Sequence, residues 1–275
     1  MHFLRLSGKV VVITGSTRGI GRAIADACAL KGATVVVSSR TPEAVERTVA
    51  ELTAAGATAS GFAAQMGHYE EVEALRDHAL AVHGRLDVWI CNAGVSNGYR
   101  YLEDESAPEI HDLITINVLG QLYAAKALLP HFREHGGYLM NLCGRGWKGQ
   151  ATPYTTAYGA SKAASASLTR SIAAENRVHK NVSINAFTPG MVDTDFYRDD
   201  MPVSPRLEAT RGNVAFALAA FKTPLTDVGA RCAQLVAEEP GRTTGRIYPM
   251  LGTGRVIVGG AKMAWWGMTG KMARG

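Results

Sequence analysis

Cysteine is scarce in this sequence, and the four present, Cys28, Cys91, Cys143 and Cys232, form no pair or cluster with metal-ligand spacing. That argues against a disulfide framework or a cysteine-built metal centre and points to a reduced, cytoplasmic setting. Aromatic residues make up 7% of the chain, and no basic run is interleaved with them, so no nucleic-acid partner is expected. No uninterrupted run of about 18 apolar residues is present, so no membrane span is expected either. Met1 to Leu6 pass into a strand-like pattern too soon for a secretory leader. Acidic residues stop at Glu239. Beyond it, Gly241 to Gly275 carries Arg242, Arg246, Arg255, Lys262, Lys271 and Arg274, which accounts for the net charge of +5 beside a nearly neutral body. The sequence therefore divides into a body, 1–254, and a basic tail, 255–275, with Trp265 and Trp266 beside Met263 and Met268. Packing of this tail on the body or on another subunit is favoured over contact with a membrane surface.

The body alternates apolar runs with helical spacing. Lys9 to Thr14 is a β-branched run suited to a strand covered on both faces, and Gly15-Ser16-Thr17-Arg18-Gly19-Ile20-Gly21 follows directly. Helical spacing then runs from Arg22 to Lys31. A strand, a glycine loop and a helix in that order set free N–H groups and a positive dipole end where a pyrophosphate can sit. The next strand, Thr34 to Ser38, ends in Ser39-Arg40, where a site selective for an unphosphorylated ribose places a carboxylate. Together with Arg18 in the loop, these residues favour NADP(H) over NAD(H).

Further strands are expected at 57–65, 86–94, 137–142, 182–187 and 245–250, and helices at 43–55, 70–83, 108–132, 155–178 and 226–238. Residues 195–223 read as an insertion. This alternation predicts a single α/β domain with a Rossmann-type, doubly wound parallel sheet of about seven strands. Asn92, Ala93 and Gly94 close the fourth strand in small residues that let the chain pass near a ligand. Asn117 stands in mid-helix, where asparagine is a poor former and calls for a reason. His131-Phe-Arg-Glu-His135 has a zinc-peptidase spacing, but it falls at a helix end in an α/β frame, so no metal is expected.

In Tyr158-Gly-Ala-Ser-Lys162 a phenol and an ammonium share one helix face, four residues apart. A cation beside a phenol stabilises its anion and brings it toward the range useful for proton transfer.

Taken in order, Thr14-Gly15-x-x-x-Gly19-x-Gly21, Asn92-Ala93-Gly94, Asn117, Tyr158-x-x-x-Lys162 and Pro189-Gly190-x-Val192-x-Thr194 resemble the short-chain dehydrogenase/reductase family. The resemblance covers about residues 7 to 250. It implies an NADP-dependent oxidoreductase that interconverts a small-molecule carbonyl and its alcohol. Tyr158 would be the proton donor or acceptor, Lys162 would hold the nicotinamide ribose, and Asn117 would anchor a water in a proton relay. Thr194 would contact the carboxamide, and Gln65 stands where the family often has an adenine-contacting aspartate. A homodimer or homotetramer is implied as well. One family residue is missing: the serine that polarises the substrate carbonyl falls at Gly144 or Arg145 in Asn141-Leu-Cys-Gly-Arg-Gly-Trp-Lys-Gly149. Substitutes to consider are Tyr158 alone, a backbone N–H near Gly144, or the side chains of Arg145, Thr155 or Thr156. The gap also leaves open an NADP(H)-binding regulator, or a lyase or isomerase on the same scaffold. The Asn141-x-x-Gly144-x-Gly146-x-x-Gly149 loop is similar to that of chlorophyll(ide) b reductases, which reduce a formyl group on a tetrapyrrole with NADPH.

Overall fold

The computed structural model describes residues 6–192, 201–210 and 219–250; Thr194 and the 255–275 tail lie outside them. Seven parallel strands form one sheet in the order β3-β2-β1-β4-β5-β6-β7. They are β1 Val10–Thr14, β2 Thr34–Ser38, β3 Ala59–Gly61, β4 Val88–Cys91, β5 Gly137–Leu142, β6 Val182–Thr188 and β7 Ile247–Pro249. The helices are α1 Gly19–Leu30, α2 Pro42–Ala54, α3 Tyr69–His83, α4 Ala107–Ile114, α5 Gly120–His135, α6 Thr156–Glu175 and α7 Leu225–Val236.

β1 and β2 read as continuous Val/Ile runs because helices cover both sheet faces. Val11, Ile13, Val35 and Val37 pack with Ile24 of α1 and with Val228 and Cys232 of α7. On the opposite face Val10, Val12, Trp89 and Leu139 pack with Leu75 of α3 and with Leu128 and Phe132 of α5. Strand order reverses between β1 and β4, and a crevice beyond the carboxyl ends of the strands at such a point is the usual ligand site of an open α/β sheet.

Three expectations change. The third strand is short: pairing with β2 runs only from Ala59 to Gly61, at the sheet edge. The helix at 108–132 is not uniform, because Thr115–Leu119 forms a π-helical turn between α4 and α5 with Asn117 inside it. The extra residue in that turn aims the asparagine inward, and such bulges are common at functional sites. Finally, the continuous helix 107–135 has a mean hydropathy of 1.3 over its most apolar window, enough by length and composition to cross a bilayer. Its apolar residues are interleaved with polar ones, so no uninterrupted run betrays it. Half of that window is buried inside the fold, as befits a core helix.

Candidate active site

β1 ends at Thr14, and the chain turns through Gly15 (φ 63°) and Gly19 (φ 56°), a left-handed conformation that favours glycine. A Cβ on Gly21 would fall on the Gly15 carbonyl and the Asn92 amide, so α1 can start tight against β1 only with glycine there. No side chain caps α1 at Arg18. Its first amides therefore remain available to an anion, and the helix dipole adds to their attraction. Asn92 fixes the loop from the neighbouring strand: its Nδ2 donates to the carbonyls of Thr14 and Gly15, both at 2.9 Å. The Asn92 and Ala93 amides donate to Thr14 Oγ1 at 3.1 and 3.0 Å.

From this loop a cleft of about 860 Å³ runs over the carboxyl ends of the strands. Arg18, Ser39 and Arg40 line one end, joined by Arg47 of α2, which the sequence pattern did not single out. Among the described residues, Asp112 is the only carboxylate that lines the cleft. Gln65 lines the wall between; its backbone N–H donates to Glu71 Oε2 at 2.7 Å, and Glu71 Oε1 lies 2.6 Å from His68 Nδ1.

At the other end stand Gly94, Tyr158 and Lys162. Lys162 is 5% exposed, and its Nζ donates to the Leu142 carbonyl at 3.2 Å while lying 5.4 Å from the centre of the Tyr158 ring. Burial lowers its pKa below the usual lysine value, an effect that nearby Cys143 partly opposes. Burial in turn pushes the Cys143 thiol up to about 11, so it stays protonated at neutral pH. A nearly buried ammonium has three donors, and the Leu142 carbonyl takes one of them. Oxygen acceptors of a ligand in the cleft suit the others.

Asn117 is fully buried and braces this end. Its Oδ1 accepts from the Val95 amide at 2.8 Å, and its Nδ2 donates to the Val95 carbonyl at 3.0 Å and to Ser161 Oγ at 3.1 Å. Ser161 lies between Tyr158 and Lys162 on α6 and donates to the Tyr158 carbonyl at 2.7 Å. The asparagine thus ties the 94–96 segment to the helix that carries the phenol and the ammonium.

The missing serine leaves a specific trace. A Cβ on Gly144 would stand 2.6 Å from Tyr158 Oη and 3.3 Å from Lys162 Cγ. The phenol therefore rests against the bare glycine. The turn 144–147 is held there by contacts between backbones: a Cβ on Gly146 (φ 99°) would come within 2.6 to 2.7 Å of Gly159 O and Cα. Trp147 secures the loop by packing beside Cys143, Ala166 and Ala186.

The fold, the phosphate-type loop and the phenol–ammonium end now stand in one crevice, and the family model described as short chain dehydrogenase matches residues 9–202. The chain belongs to that family. It is 37% identical over 193 residues to chlorophyll(ide) b reductase NOL of Oryza sativa subsp. japonica, covering 67% of this chain and 56% of that protein. It thus spans little more than half of that relative's length. It is 34% identical over 191 residues to dehydrogenase/reductase SDR family member 4 of Sus scrofa, covering 70% of this chain and 68% of that protein. Among solved structures, a 7α-hydroxysteroid dehydrogenase complexed with NADH and 7-oxo glycochenodeoxycholic acid superposes with a TM-score of 0.78 at 25% identity, over 91% of this chain and 96% of that one. The chain therefore shares its fold with a solved dehydrogenase that carries a nicotinamide dinucleotide.

Most of the residues singled out in this short-chain dehydrogenase line the cleft: Gly15, Thr17, Gly19, Ile20, Gly21, Ala93 and Pro189 besides those already placed. Several do not. Ser16 is buried and staples β1 to β2, its Oγ donating to the Ile13 carbonyl at 2.7 Å and accepting from the Ser38 amide at 3.0 Å. Val192 packs into the core beside β6. Gly190 and Arg145 are exposed and outside the cleft lining. Thr155 Oγ1 donates to the Thr152 carbonyl at 3.2 Å, a turn contact, and Thr156 lines a separate groove with Gly159 and Ala163. Asn117 acts as a brace through its side chain rather than as part of the cleft wall.

Proposed function

We propose that this short-chain dehydrogenase reduces an aldehyde or ketone to its alcohol with NADPH. The observation that carries the reading is the placement of Tyr158 and the buried Lys162 at one end of the cleft whose other end is lined by Arg18, Ser39, Arg40 and Arg47. The residues present fit the dinucleotide: Gly15 and Gly21 let the loop and the start of α1 pack tightly against Asn92 and Ala93, and the uncapped α1 amides suit a pyrophosphate. Three guanidinium groups beside a serine hydroxyl suit a 2′-phosphate, whose charge would be unbalanced next to a carboxylate.

A bound, reduced nicotinamide supplies the hydride that goes to the carbonyl carbon. Tyr158 donates its phenolic proton to the carbonyl oxygen. Lys162 stabilises the phenolate that results and holds ribose hydroxyls with its remaining donors. Asn117 keeps Val95 and α6 in register, so that substrate and phenol meet in a fixed geometry. The reductases named among the relatives support the direction of reaction. Replacing Tyr158 with Phe is expected to abolish NADPH oxidation across a panel of aldehydes and ketones while leaving NADPH binding nearly unchanged. Turnover by the Phe variant at the wild-type rate would overturn the reading.

A further inference from the structure

We propose that the Ser96 hydroxyl is the second hydrogen-bond donor to the substrate's carbonyl oxygen, standing in for the side chain that Gly144 lacks. This rests on the carbonyl-reductase reading above and names a residue for it. The 144 position itself cannot accept a donor, because Tyr158 Oη already fills the space that a Cβ would need. The nearby hydroxyls of Thr155 and Thr156 are turned to a loop turn and to a separate groove, and Arg145 lies exposed outside the cleft.

The cleft that holds Tyr158 is also lined by Gly94, Val95, Ser96, Leu142, Cys143 and Pro189, and a Cβ on Gly94 would stand 3.7 Å from Lys162 Nζ. Ser96 carries the only hydroxyl in that group, and a thiol such as Cys143 is a weak donor. Ser96 Oγ accepts from the Gly98 amide at 3.3 Å, which occupies a lone pair and leaves the proton. Among the described residues no acceptor takes that proton. Its position is also well fixed. Both backbone groups of Val95 are held by Asn117, which reaches Ser161 between Tyr158 and Lys162. On the far side the Tyr99 amide donates to the Pro202 carbonyl at 2.9 Å, and glycine at 98 lets the two backbones touch. A serine held at both ends, on the wall of the cleft that also holds Tyr158, is preorganised to bond a developing alkoxide.

The test is steady-state kinetics of the full chain with NADPH and 4-nitrobenzaldehyde within a panel of aldehydes and ketones. Ser96→Ala is expected to lower kcat about 100-fold with little change in KM or in NADPH binding, the usual scale for loss of one such donor. Ser96→Thr, which keeps the hydroxyl, is expected to retain most of the rate. Ser96→Cys, close in size but a weak donor, is expected to lose it, and it decides the matter if the Ala variant does not fold. Wild-type kcat in Ser96→Ala or Ser96→Cys, or a loss confined to KM, overturns the assignment while leaving the Tyr158 reading intact. If the wild type reduces none of the panel, or Tyr158→Phe stays active, the reductase reading fails and this inference falls with it.

Discussion

In the variant Gly144→Ser the new Cβ would stand 2.6 Å from Tyr158 Oη, whereas ordinary contact begins near 3.4 Å. The phenol would have to retreat by about 0.8 Å. Lys162 cannot give way in its place, because it is buried and its ammonium is held by the Leu142 carbonyl. Misplacing a reacting group by about 1 Å costs on the order of 100-fold. Gly144→Ser is therefore expected to lower kcat by about 10- to 100-fold, roughly 1.4 to 2.7 kcal/mol of barrier, even though it restores the hydroxyl common in this family. Gly144→Ala makes the same clash without the hydroxyl and is expected to lose a similar amount. NADPH binding, set at the glycine loop and the arginines, should stay within about twofold. The assay is kcat with NADPH and an aldehyde, with cofactor affinity measured by fluorescence titration and folding by thermal melt. A serine variant as fast as the wild type or faster would refute the geometry on which this rests.

Two further outcomes follow from charge. Arg40→Ala is expected to raise the KM for NADPH about tenfold while leaving that for NADH within about twofold, since only the former carries a 2′-phosphate; equal shifts for both cofactors would count against the phosphate reading. Glu109 caps α4 with Ser106 and bonds Arg100 at 2.8 Å, and the Arg100 guanidinium, then the Ser106 contacts, hold its carboxyl down at about 2. Its contribution to stability is thus present above the ordinary glutamate range and is lost as pH falls from about 4 toward 2. The melting difference between wild type and Glu109→Gln should be larger at pH 7 than at pH 3, and an equal difference at both would disprove the link.

Much of the fold was legible because both sheet faces are covered, which writes β1, β2 and β4 as short apolar runs. The glycine loop and the Tyr158–Lys162 pair were legible for a similar reason: their chemistry depends on local spacing. What spacing does not carry was missed. Asn117 looks like a poor residue in an ordinary helix, and only the π-helical turn shows why it is there. Ser16 sits among loop residues that face the cleft, yet its hydroxyl turns inward to bond β1 and β2. Arg47 belongs to the exposed face of a helix until that helix is placed beside Ser39 and Arg40. Ser96 went unnoticed because a substitute for the serine was sought next to its usual position. A donor from another loop comes into view only when Asn117 is seen joining that loop to α6.

The Leu142 carbonyl, last in β5, accepts both Lys162 Nζ at 3.2 Å and Gln121 Nε2 of α5 at 3.3 Å. One oxygen therefore belongs at once to the packing of a core helix and to the seat of the ammonium. For anyone engineering this chain, changes that loosen α5 are poor candidates for separating heat resistance from turnover, because they reach Lys162 through a single shared atom.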